Sequence, residues 1–304
     1  MVIRFGYVAI SKVINITSSH SITYSSYVKD VNNDRLYDVV LKNLDSLIEI
    51  LNYNISNNIH FYRMSSAIFP LATHPNVNFD VLNVFRDKLI FIGKIINDSN
   101  MRVDIHLDQF CVLNSVSSSV VTSSINIINF YKNMFDVMGI DSKMVIHVGS
   151  SVGGKEEGLK RFIANFYLLE YDVRKCLIIE NDDKVYNVLD VLFLCKRLGC
   201  PMVLDYHHHI CNHVSLDIDF NSIFSTWNGD IPKVHFSSPK NSRDFRAHND
   251  YISIIDFIDF LSMVKNYDFD VMIEAKEKDF ALFKLVRELR YRGFIFLDDT
   301  TLTL

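Results

Sequence analysis

The chain has 304 residues, of which 49% are hydrophobic and 22% are charged, and it contains only 10 glycines and 5 prolines. This composition excludes a disordered, a collagen-like and a linker-rich protein, and it supplies enough apolar side chains for a large core. The formal net charge of −5 does not indicate a general nucleic-acid binder, although bound divalent cations would reverse the sign of the charge locally.

Cysteine usage and the first residues bear on the cellular compartment. The five cysteines form no CxxC pair, which favours reduced thiols in an intracellular protein. The first residues lack the basic and then apolar pattern of a signal peptide, and no apolar run reaches the ~18 residues of a membrane span. We therefore expect a cytoplasmic protein, with the nucleus or the nucleoid as alternatives. We expect it to be a monomer that is not secreted and has no membrane partner.

Eight runs of β-branched and aromatic residues alternate with helical patterns along the chain. The runs cover residues 3–8, 59–63, 102–106, 144–148, 176–180, 202–205, 233–236 and 270–274. Apolar residues recur at helical spacing from Leu36 to Leu51, after an Asn33-Asp34 N-cap, and again from Leu82 to Ile96. This alternation predicts an α/β protein, a single (β/α)8 TIM barrel over residues 1–304. A doubly wound open sheet is the alternative, but no GxGxxG motif follows the first strand.

A polar residue capable of chemistry closes each predicted strand. In chain order these residues are Tyr7, Arg63, His106, His147, Glu180, Asp205, His235 and Glu274. The C-terminal strand ends of a TIM barrel converge on one mouth, where the active site lies. Six successive histidines or carboxylates would be costly to bury in apolar strands without partners. We therefore predict that they form one site at the mouth.

These side chains predict a metal site. Three further histidines, His74, His208 and His248, lie in the loops that follow predicted strands. Nitrogen and oxygen donors without thiolate suit Mn²⁺, Zn²⁺ or Fe²⁺. Nine ligands are too many for one ion and suit two or three, and neighbouring divalent ions are typical of phosphoester chemistry.

Ten short motifs resemble those of the UV damage endonuclease family, in the family's order. They read RFGY from Arg4, YRMSS from Tyr62 running to His74-Pro75, HLDQF from His106, IHVG from Ile146, GGK from Gly153, ENDD from Glu180, DYHH from Asp205, KVHFSSP from Lys233, RAHNDY from Arg246 and IEAKE from Ile273. The motifs span residues 4 to 277, which is nearly the whole chain. One departure is Leu107, where the family pattern has proline.

The resemblance implies a TIM barrel that nicks DNA immediately 5′ to cyclobutane pyrimidine dimers and 6-4 photoproducts, and also at abasic sites. The products would carry 3′-hydroxyl and 5′-phosphate ends. The implied partner is UV-damaged double-stranded DNA, and the implied cofactor is two or three divalent ions, usually Mn²⁺. Such ions lower the pKa of a bound water and so supply hydroxide.

The resemblance also implies roles for individual residues. The implied metal ligands are His74, His106, His147, Glu180, Asp205, His208, His235, His248 and Glu274. The residues predicted to be catalytic are Glu180, as a carboxylate bridging two ions, Lys233 and His235. Lys233 matches a lysine that can be carboxylated near the metals, with an ordinary strand lysine as the alternative.

A third group of residues is predicted to contact DNA. Gln109 and Phe110 resemble the family's probing pair, which enters the duplex in place of the extruded lesion. Tyr7 is predicted to line the lesion pocket. The cations predicted to contact phosphates are Lys155, Arg243 and Arg246. The alternatives are a packed loop anchor for Phe110, a buried barrel tyrosine for Tyr7 and ordinary surface solvation for the cations.

Three other functions are weighed against this one. An endonuclease IV-like abasic-site nuclease would share the barrel, the ligands and the chemistry, and activity on a dimer-containing duplex without an abasic site would distinguish it. A xylose-isomerase-like sugar isomerase is also a barrel with two divalent metals, but it needs fewer histidine ligands. A catalytically silent lesion-binding protein would not require the intact ligand set.

Overall fold

The computed structural model describes residues 1–264 and 266–304. Its strands are β1 (Val2–Val8), β2 (Ile10–Ser11), β3 (Ile16–Thr17), β4 (Phe61–Met64), β5 (Arg102–His106), β6 (Lys143–His147), β7 (Leu177–Glu180), β8 (Met202–Asp205), β9 (Lys233–Phe236), β10 (Phe269–Ile273), β11 (Ile295–Phe296) and β12 (Thr301–Thr303). Its helices are α1 (Tyr24–Val28), α2 (Asp34–Ser56), α3 (Val81–Val84), α4 (Arg86–Asp98), α5 (Ser118–Met138), α6 (Lys155–Phe166), α7 (Tyr171–Arg174), α8 (Val188–Leu198), α9 (Tyr206–Cys211), α10 (Phe220–Ser225), α11 (Ile254–Met263) and α12 (Lys278–Tyr291).

Eight parallel strands close into a barrel in the order β1, β4, β5, β6, β7, β8, β9 and β10. The closure is the parallel pairing of β10 with β1, in which Gly6 lies opposite Met272 and Tyr7 opposite Ile273. This pairing confirms the (β/α)8 TIM barrel and excludes the open doubly wound sheet. All eight predicted strands are present, with their ends displaced by two residues or fewer.

Helices cover the outside of the barrel, so its strands are buried on both faces. Every residue of β7, β8, β9 and β10 is buried. These strands are apolar over nearly their whole length because one face of each strand packs on the helices and the other face fills the barrel. Inside the barrel, Val145, Ile178, Val203 and Trp227 form an apolar group. Any charged side chain on these strands must therefore find its partners within the barrel or at its ends.

Two helix predictions need correction. The N-cap of α2 is Asn33, as predicted, but its φ of 61° is left-handed and its side chain makes no capping hydrogen bond. The stripe from Leu82 to Ile96 belongs to two helices, because the chain leaves helical geometry at Phe85 between α3 and α4. The apolar face continues across the break, which is why spacing alone did not show it.

Four short strands lie outside the predicted set. β2 and β3 form a hairpin directly after β1, at the mouth of the barrel. β12 pairs antiparallel with β1 at the opposite end, with Val2 opposite Thr303, and β11 extends that edge. Strands of two or three residues are too short to produce a periodic pattern.

The described residues contain no helix with both the length and the apolar character that a membrane span requires.

A group of charged residues, called the base cluster below, occupies the lower barrel. It consists of Arg4, Arg102, Asp104, Lys233 and Asp270. Asp270 is fully buried and accepts hydrogen bonds from Arg4 Nε at 2.6 Å and from Arg102 Nη1 at 2.7 Å. The Arg102 guanidinium also lies over the rings of Phe61 and Trp227, 5.4 and 5.1 Å from their centroids. Both carboxylate oxygens of Asp270 are thus paired with fixed cations.

Candidate metal centre

Glu180, the last residue of β7, lies at the centre of the site and is 1% exposed. Its Oε2 atom is 2.8 Å from His106 Nε2 and 3.6 Å from His147 Nε2. Its Oε1 atom is 2.7 Å from His235 Nδ1 and 3.8 Å from His208 Nδ1. Burial raises the pKa of Glu180, but the surrounding histidines outweigh burial and hold this pKa well below its usual value. The side chain is therefore a carboxylate whose two oxygens face two different sets of histidines.

Glu274 follows β10 and organises the second side of the site. Its Oε1 atom is 3.2 Å from His235 Nδ1, and its Oε2 atom is 3.8 Å from His248 Nδ1. Asp205, at the end of β8, is fully buried and lies 3.5 Å from His208 Nδ1 through its Oδ2 atom. The predicted ligands Asp205, His208, His235, His248 and Glu274 thus meet as expected.

The ligand atoms form two overlapping groups whose members all lie within 4.8 Å of one another. The groups are His106, His147 and Glu180, and Glu180, Asp205, His235 and Glu274. Glu180 belongs to both groups. Together with His208 these residues are called the mouth cluster below. They provide nitrogen and oxygen donors without thiolate, a donor set that suits Mn²⁺ or Zn²⁺.

Unpaired buried atoms test whether a cation fits this cluster. His147 Nδ1, Asp205 Oδ2 and His235 Nε2 are buried and make no hydrogen bond to any other residue that the structure describes. A buried polar atom without a partner costs free energy, and native structures contain few of them. Burial lowers the pKa of His147 and His235, which favours the neutral imidazole that binds metals. The residues present therefore fit divalent cations.

Backbone carbonyls orient two of the histidines. His106 Nδ1 is 2.8 Å from the carbonyl oxygen of Leu107, and His208 Nδ1 is 3.0 Å from that of Asn181. A bond of this kind fixes a ring and leaves its other nitrogen free for a metal. Because the carbonyl is the acceptor, a leucine at position 107 serves as well as proline. The Leu107 N–H also donates to Val145 O at 3.0 Å, a bond that proline cannot make.

Arg63 is a member of the site that sequence analysis did not assign. Its Nη2 atom donates to Glu274 Oε1 at 2.7 Å, and the side chain is 7% exposed. Burial lowers the pKa of Arg63, but Glu274, Asp104 and Glu180 outweigh it and raise this pKa. Its position at the end of the second predicted strand could have identified it, because an arginine in an apolar strand needs a buried carboxylate as partner. Arg63 supplies the fixed positive charge beside three carboxylates.

Two predicted ligands lie outside the mouth cluster: His248, which is 3.8 Å from Glu274, and His74, for which the described residues show no contact with a carboxylate of the cluster. The ring of His74 stacks on Tyr24 with centroids 4.2 Å apart, and its Nδ1 atom accepts from the Asn76 N–H at 3.2 Å. Among the described residues, neither potential metal-binding group includes it. Its role as a ligand stays a prediction.

Lys233 lies two residues before His235, on the same face of β9 but deeper in the barrel. It is fully buried, and its amino group donates to Asp104. Burial lowers the pKa of Lys233 to about 8, although Asp104 opposes this shift. The structure therefore connects Lys233 with the base cluster and not directly with the mouth cluster.

Comparison with known proteins decides the family. The family model described as UV-endonuclease UvdE matches residues 3–298. The chain belongs to this family. It is 39% identical over 315 aligned positions to the UV DNA damage endonuclease of Bacillus mycoides strain KBAB4, and the alignment covers 99% of each chain. The UV DNA damage endonuclease of Bacillus cereus strain B4264 is 39% identical over 301 positions, covering 95% of each.

Solved structures agree with membership of the UvdE family. The crystal structure of SacUVDE matches with a TM-score of 0.89 and 34% identity, covering 96% of this chain and 99% of that one. Endonuclease IV from Thermus thermophilus matches with a TM-score of 0.56 and 13% identity, covering 95% and 99%. At that identity, the second likeness shows a shared barrel and nothing finer.

Tyr7 is the clearest correction within this UvdE protein. Instead of lining a lesion pocket, its side chain is fully buried between β1 and α2, and its hydroxyl donates to Asn54 Oδ1 at 2.8 Å. Burial, together with the nearby Tyr62, raises the pKa of the hydroxyl well above its usual value. Strand side chains alternate between faces, and in β1 the inward position beside Met272 belongs to Gly6. Tyr7 therefore has no surface to offer a base.

The predicted DNA-contacting residues lie on the mouth side of this family member. Gln109 and Phe110 are in the loop after β5, and Phe110 is 74% exposed. A cavity of about 380 Å³ beside this loop is bordered by Gln109, His147 and residues 182–185. An exposed aromatic residue lies next to a cavity that the predicted ligand His147 also borders, and its role in a probing pair stays a prediction. The loop-anchor alternative does not explain this exposure.

The three predicted phosphate-binding cations differ in their availability. Lys155 Nζ is 2.7 Å from Asp190 Oδ2, and Arg246 Nε is 3.1 Å from Asp183 O and 3.4 Å from Asp183 Oδ2. Arg243 is exposed and, within residues 1–264 and 266–304, its guanidinium makes no ion pair. Arg243 is therefore the most available of the three for a phosphate.

Proposed function

We infer that this UvdE-family chain is a UV-damage repair endonuclease. We propose that it nicks DNA immediately 5′ to cyclobutane pyrimidine dimers and 6-4 photoproducts, and at abasic sites, leaving 3′-hydroxyl and 5′-phosphate ends. We also propose that it uses two or three divalent ions, with Mn²⁺ preferred. The observation that carries this proposal is the buried group of carboxylates and histidines around Glu180, which has unpaired donor atoms and opens at the barrel mouth.

Divalent ions, when bound, would supply Lewis-acid stabilisation of phosphate charge and a water of lowered pKa. The protein's contribution is to place their ligands. Glu180 faces His106 and His147 with one oxygen and His235 with the other. This division supports Glu180 as the bridging carboxylate. Glu274 and Asp205 would complete the second group, and Arg63 would fix the rotamer of Glu274 through its 2.7 Å contact.

His235 and Lys233 have different proposed roles. His235 lies between Glu180 and Glu274, and its contacts of 2.7 and 3.2 Å hold both carboxylates in place. Its unpaired Nε2 atom supports a ligand role. Lys233 is bonded to Asp104 below, so we propose that it supports the ligands from beneath as a positioning residue. Its carboxylation stays a prediction.

Lesion recognition is assigned to the loop after β5. Gln109 and Phe110 would enter the duplex where the damaged bases leave it, and the exposed Phe110 ring would replace part of the lost stacking. The neighbouring cavity of about 380 Å³ has room for an extruded base beside His147. The extruded base would therefore lie next to the predicted metal ligands.

The decisive experiment is incision of four matched duplexes with Mn²⁺ and with chelator. The duplexes carry one cyclobutane dimer, one 6-4 photoproduct, one abasic site or no lesion. We expect Mn²⁺-dependent nicks 5′ to the first three and none in the fourth. Cleavage of the abasic duplex alone would favour the endonuclease IV-like alternative. Lesion binding without nicking, with Mn²⁺ bound, would favour a silent lesion-binding protein, and nicking unaffected by chelator would contradict metal dependence.

A further inference from the structure

The loop between β9 and α11 contains an ordered segment, residues 239–248, called the Phe245 loop here. Pro239 and His248 form an antiparallel bridge at its base. The Lys240 N–H donates to Ala247 O at 2.7 Å, and the Asn249 N–H donates to Ser238 O at 2.9 Å. Because His248 also contacts Glu274, the position of this loop is fixed relative to the metal ligands.

The tip of the Phe245 loop presents one aromatic ring and one unpaired cation. Phe245 is 40% exposed, and its inner side lies against the ring of His207 with centroids 5.9 Å apart. Lys240 is paired with Asp244 at 3.0 Å, and Arg246 is tied to Asp183. Arg243 is the cation of this loop without an ion pair in the described part of the chain.

These side chains border a cavity of about 470 Å³. Residues 243–247 form one wall of this cavity, and Ile210 and Cys211 of α9 form the other. Its volume lies within the range of about 300–1,000 Å³ that is typical of small-ligand sites. Both walls follow C-terminal strand ends, so the cavity opens on the same side of the barrel as the metal ligands.

The order of strands places this cavity opposite the predicted probing loop. Phe110 follows β5 and Phe245 follows β9, and four strand steps separate β5 from β9 in either direction around the closed barrel. The mouth cluster lies between them, since His106 ends β5 and His235 belongs to β9. Two exposed aromatic rings therefore lie on opposite sides of the predicted metal site.

We propose that the Phe245 loop and its cavity form a second nucleotide site, which holds the DNA on the side of the scissile phosphate opposite to Phe110. Phe245 packs against the apolar face of a nucleotide, Arg243 binds a phosphate, and Arg246 tethers the loop to Asp183. The pairing of an aromatic face with a free cation is the usual way in which proteins hold nucleotides without reading their sequence. This inference rests on the proposed function, since the ligand is the same DNA substrate.

The test measures lesion-duplex binding in the Glu180→Gln background, in which we expect no nicking. We expect Phe245→Ala to weaken binding about tenfold, the lower part of the range for one base–aromatic contact. Phe245→Tyr should restore binding and Phe245→Leu should not, because the planar ring and not apolar packing on His207 is required. Phe193→Ala is the matched control, since Phe193 is 59% exposed on the outer helix α8.

Truncated duplexes locate the contact. We expect the Phe245→Ala effect to disappear when the duplex is shortened on one side of the lesion and to persist when it is shortened on the other. Arg243→Ala should lower the salt dependence of binding by about one phosphate contact. Equal losses with both truncations, or full binding by Phe245→Ala, would overturn the second site. Failure of the unmodified protein to nick any lesion duplex would instead overturn the proposed function.

Discussion

Two buried charged groups share one barrel, and they differ in how completely their charges are paired. In the base cluster, the single carboxylate of Asp270 is held by both Arg4 and Arg102, and Asp104 is paired with Lys233. In the mouth cluster, three carboxylates lie among four histidines, and the one arginine, Arg63, pairs with Glu274. The base has more fixed cations than carboxylates, whereas the mouth has more carboxylates than fixed cations.

This difference supports a structural role for the base cluster and the proposed metal-binding role for the mouth cluster. Buried carboxylates are tolerated when fixed cations pair them, as at the base. Among the described residues, three buried atoms of the mouth cluster make no hydrogen bond, namely Asp205 Oδ2, His147 Nδ1 and His235 Nε2, against one of the base cluster, Asp104 Oδ1. A cation at the mouth could pair with these atoms. Substitutions at the base should therefore change stability, and substitutions at the mouth should change metal binding and nicking.

The largest effect is expected at the centre of the mouth cluster. Glu180→Gln should abolish nicking and lower the metal content, because one carboxylate charge is lost where two ligand groups meet. The barrel should remain folded. Elemental analysis and incision of a dimer-containing duplex provide the measurement, with Glu156→Gln on the exposed surface of α6 as the control. Near-normal turnover by the Glu180 variant would refute the bridging assignment.

A substitution in the base cluster should lower the stability of the fold and leave metal binding unchanged. Lys233→Met leaves Asp104 buried without its cation and should lower the free energy of unfolding by about 3–5 kcal/mol. The double variant Lys233→Met/Asp104→Leu should recover much of this loss, because neither charge then remains. Urea unfolding of the metal-free protein measures both changes. A stable double variant that binds metal normally but cannot nick would show that Lys233 acts in the reaction itself.

Residues outside both clusters should affect recognition alone. Replacing Gln109 and Phe110 with alanine should weaken dimer binding by roughly ten- to hundredfold, since about 1–3 kcal/mol of stacking is lost. The loss should be smaller for an abasic duplex, where one base is already missing. Metal content should not change. Unaltered affinity for both duplexes, measured in the Glu180→Gln background, would mean that Phe110 does not stack on the DNA.

The last effect is a pH dependence of metal binding that arises from His208. Burial lowers its pKa, but Asp205, Glu180 and Glu274 outweigh burial and raise it to about 9 from its ordinary value of 6.5. Protonated His208 therefore stabilises the metal-free fold below about pH 6.5, and this contribution disappears as the pH rises to about 9. A metal must displace this proton, so Mn²⁺ affinity should rise by about tenfold per pH unit between pH 7 and 9.

Calorimetric titration of Mn²⁺ in buffers of different ionisation enthalpy measures this proton release. His208→Gln should flatten the pH dependence of Mn²⁺ binding, whereas His213→Gln, at an exposed position shortly after α9, should leave it unchanged. A steep dependence that persists in His208→Gln would assign the proton to another ligand. It would also weaken the contrast between the two clusters, which depends on His208 competing with a cation.

The sequence by itself was sufficient for the barrel and for most of the mouth cluster. Eight strand–helix repeats predicted the fold because burial on both faces requires nearly continuous apolar strands. The strand-end positions from His106 to Glu274 predicted that these side chains meet, because charged residues in such strands need a shared partner. Position in a loop after a predicted strand adds His74, His208 and His248, and the structure brings the last two to carboxylates of the site.

What the tertiary structure decided was which strand positions face inward and which charges meet. Tyr7 and Arg63 both lie near a strand end, yet Tyr7 packs outward on α2 while Arg63 points inward and reaches Glu274. The pairing of Gly6 with Met272 sets this difference, because a shift of one residue moves every side chain of a strand to the other face. The periodicity of a single strand does not predict that register. The register is set by the pairing of β1 with β10, the first and last strands of the barrel.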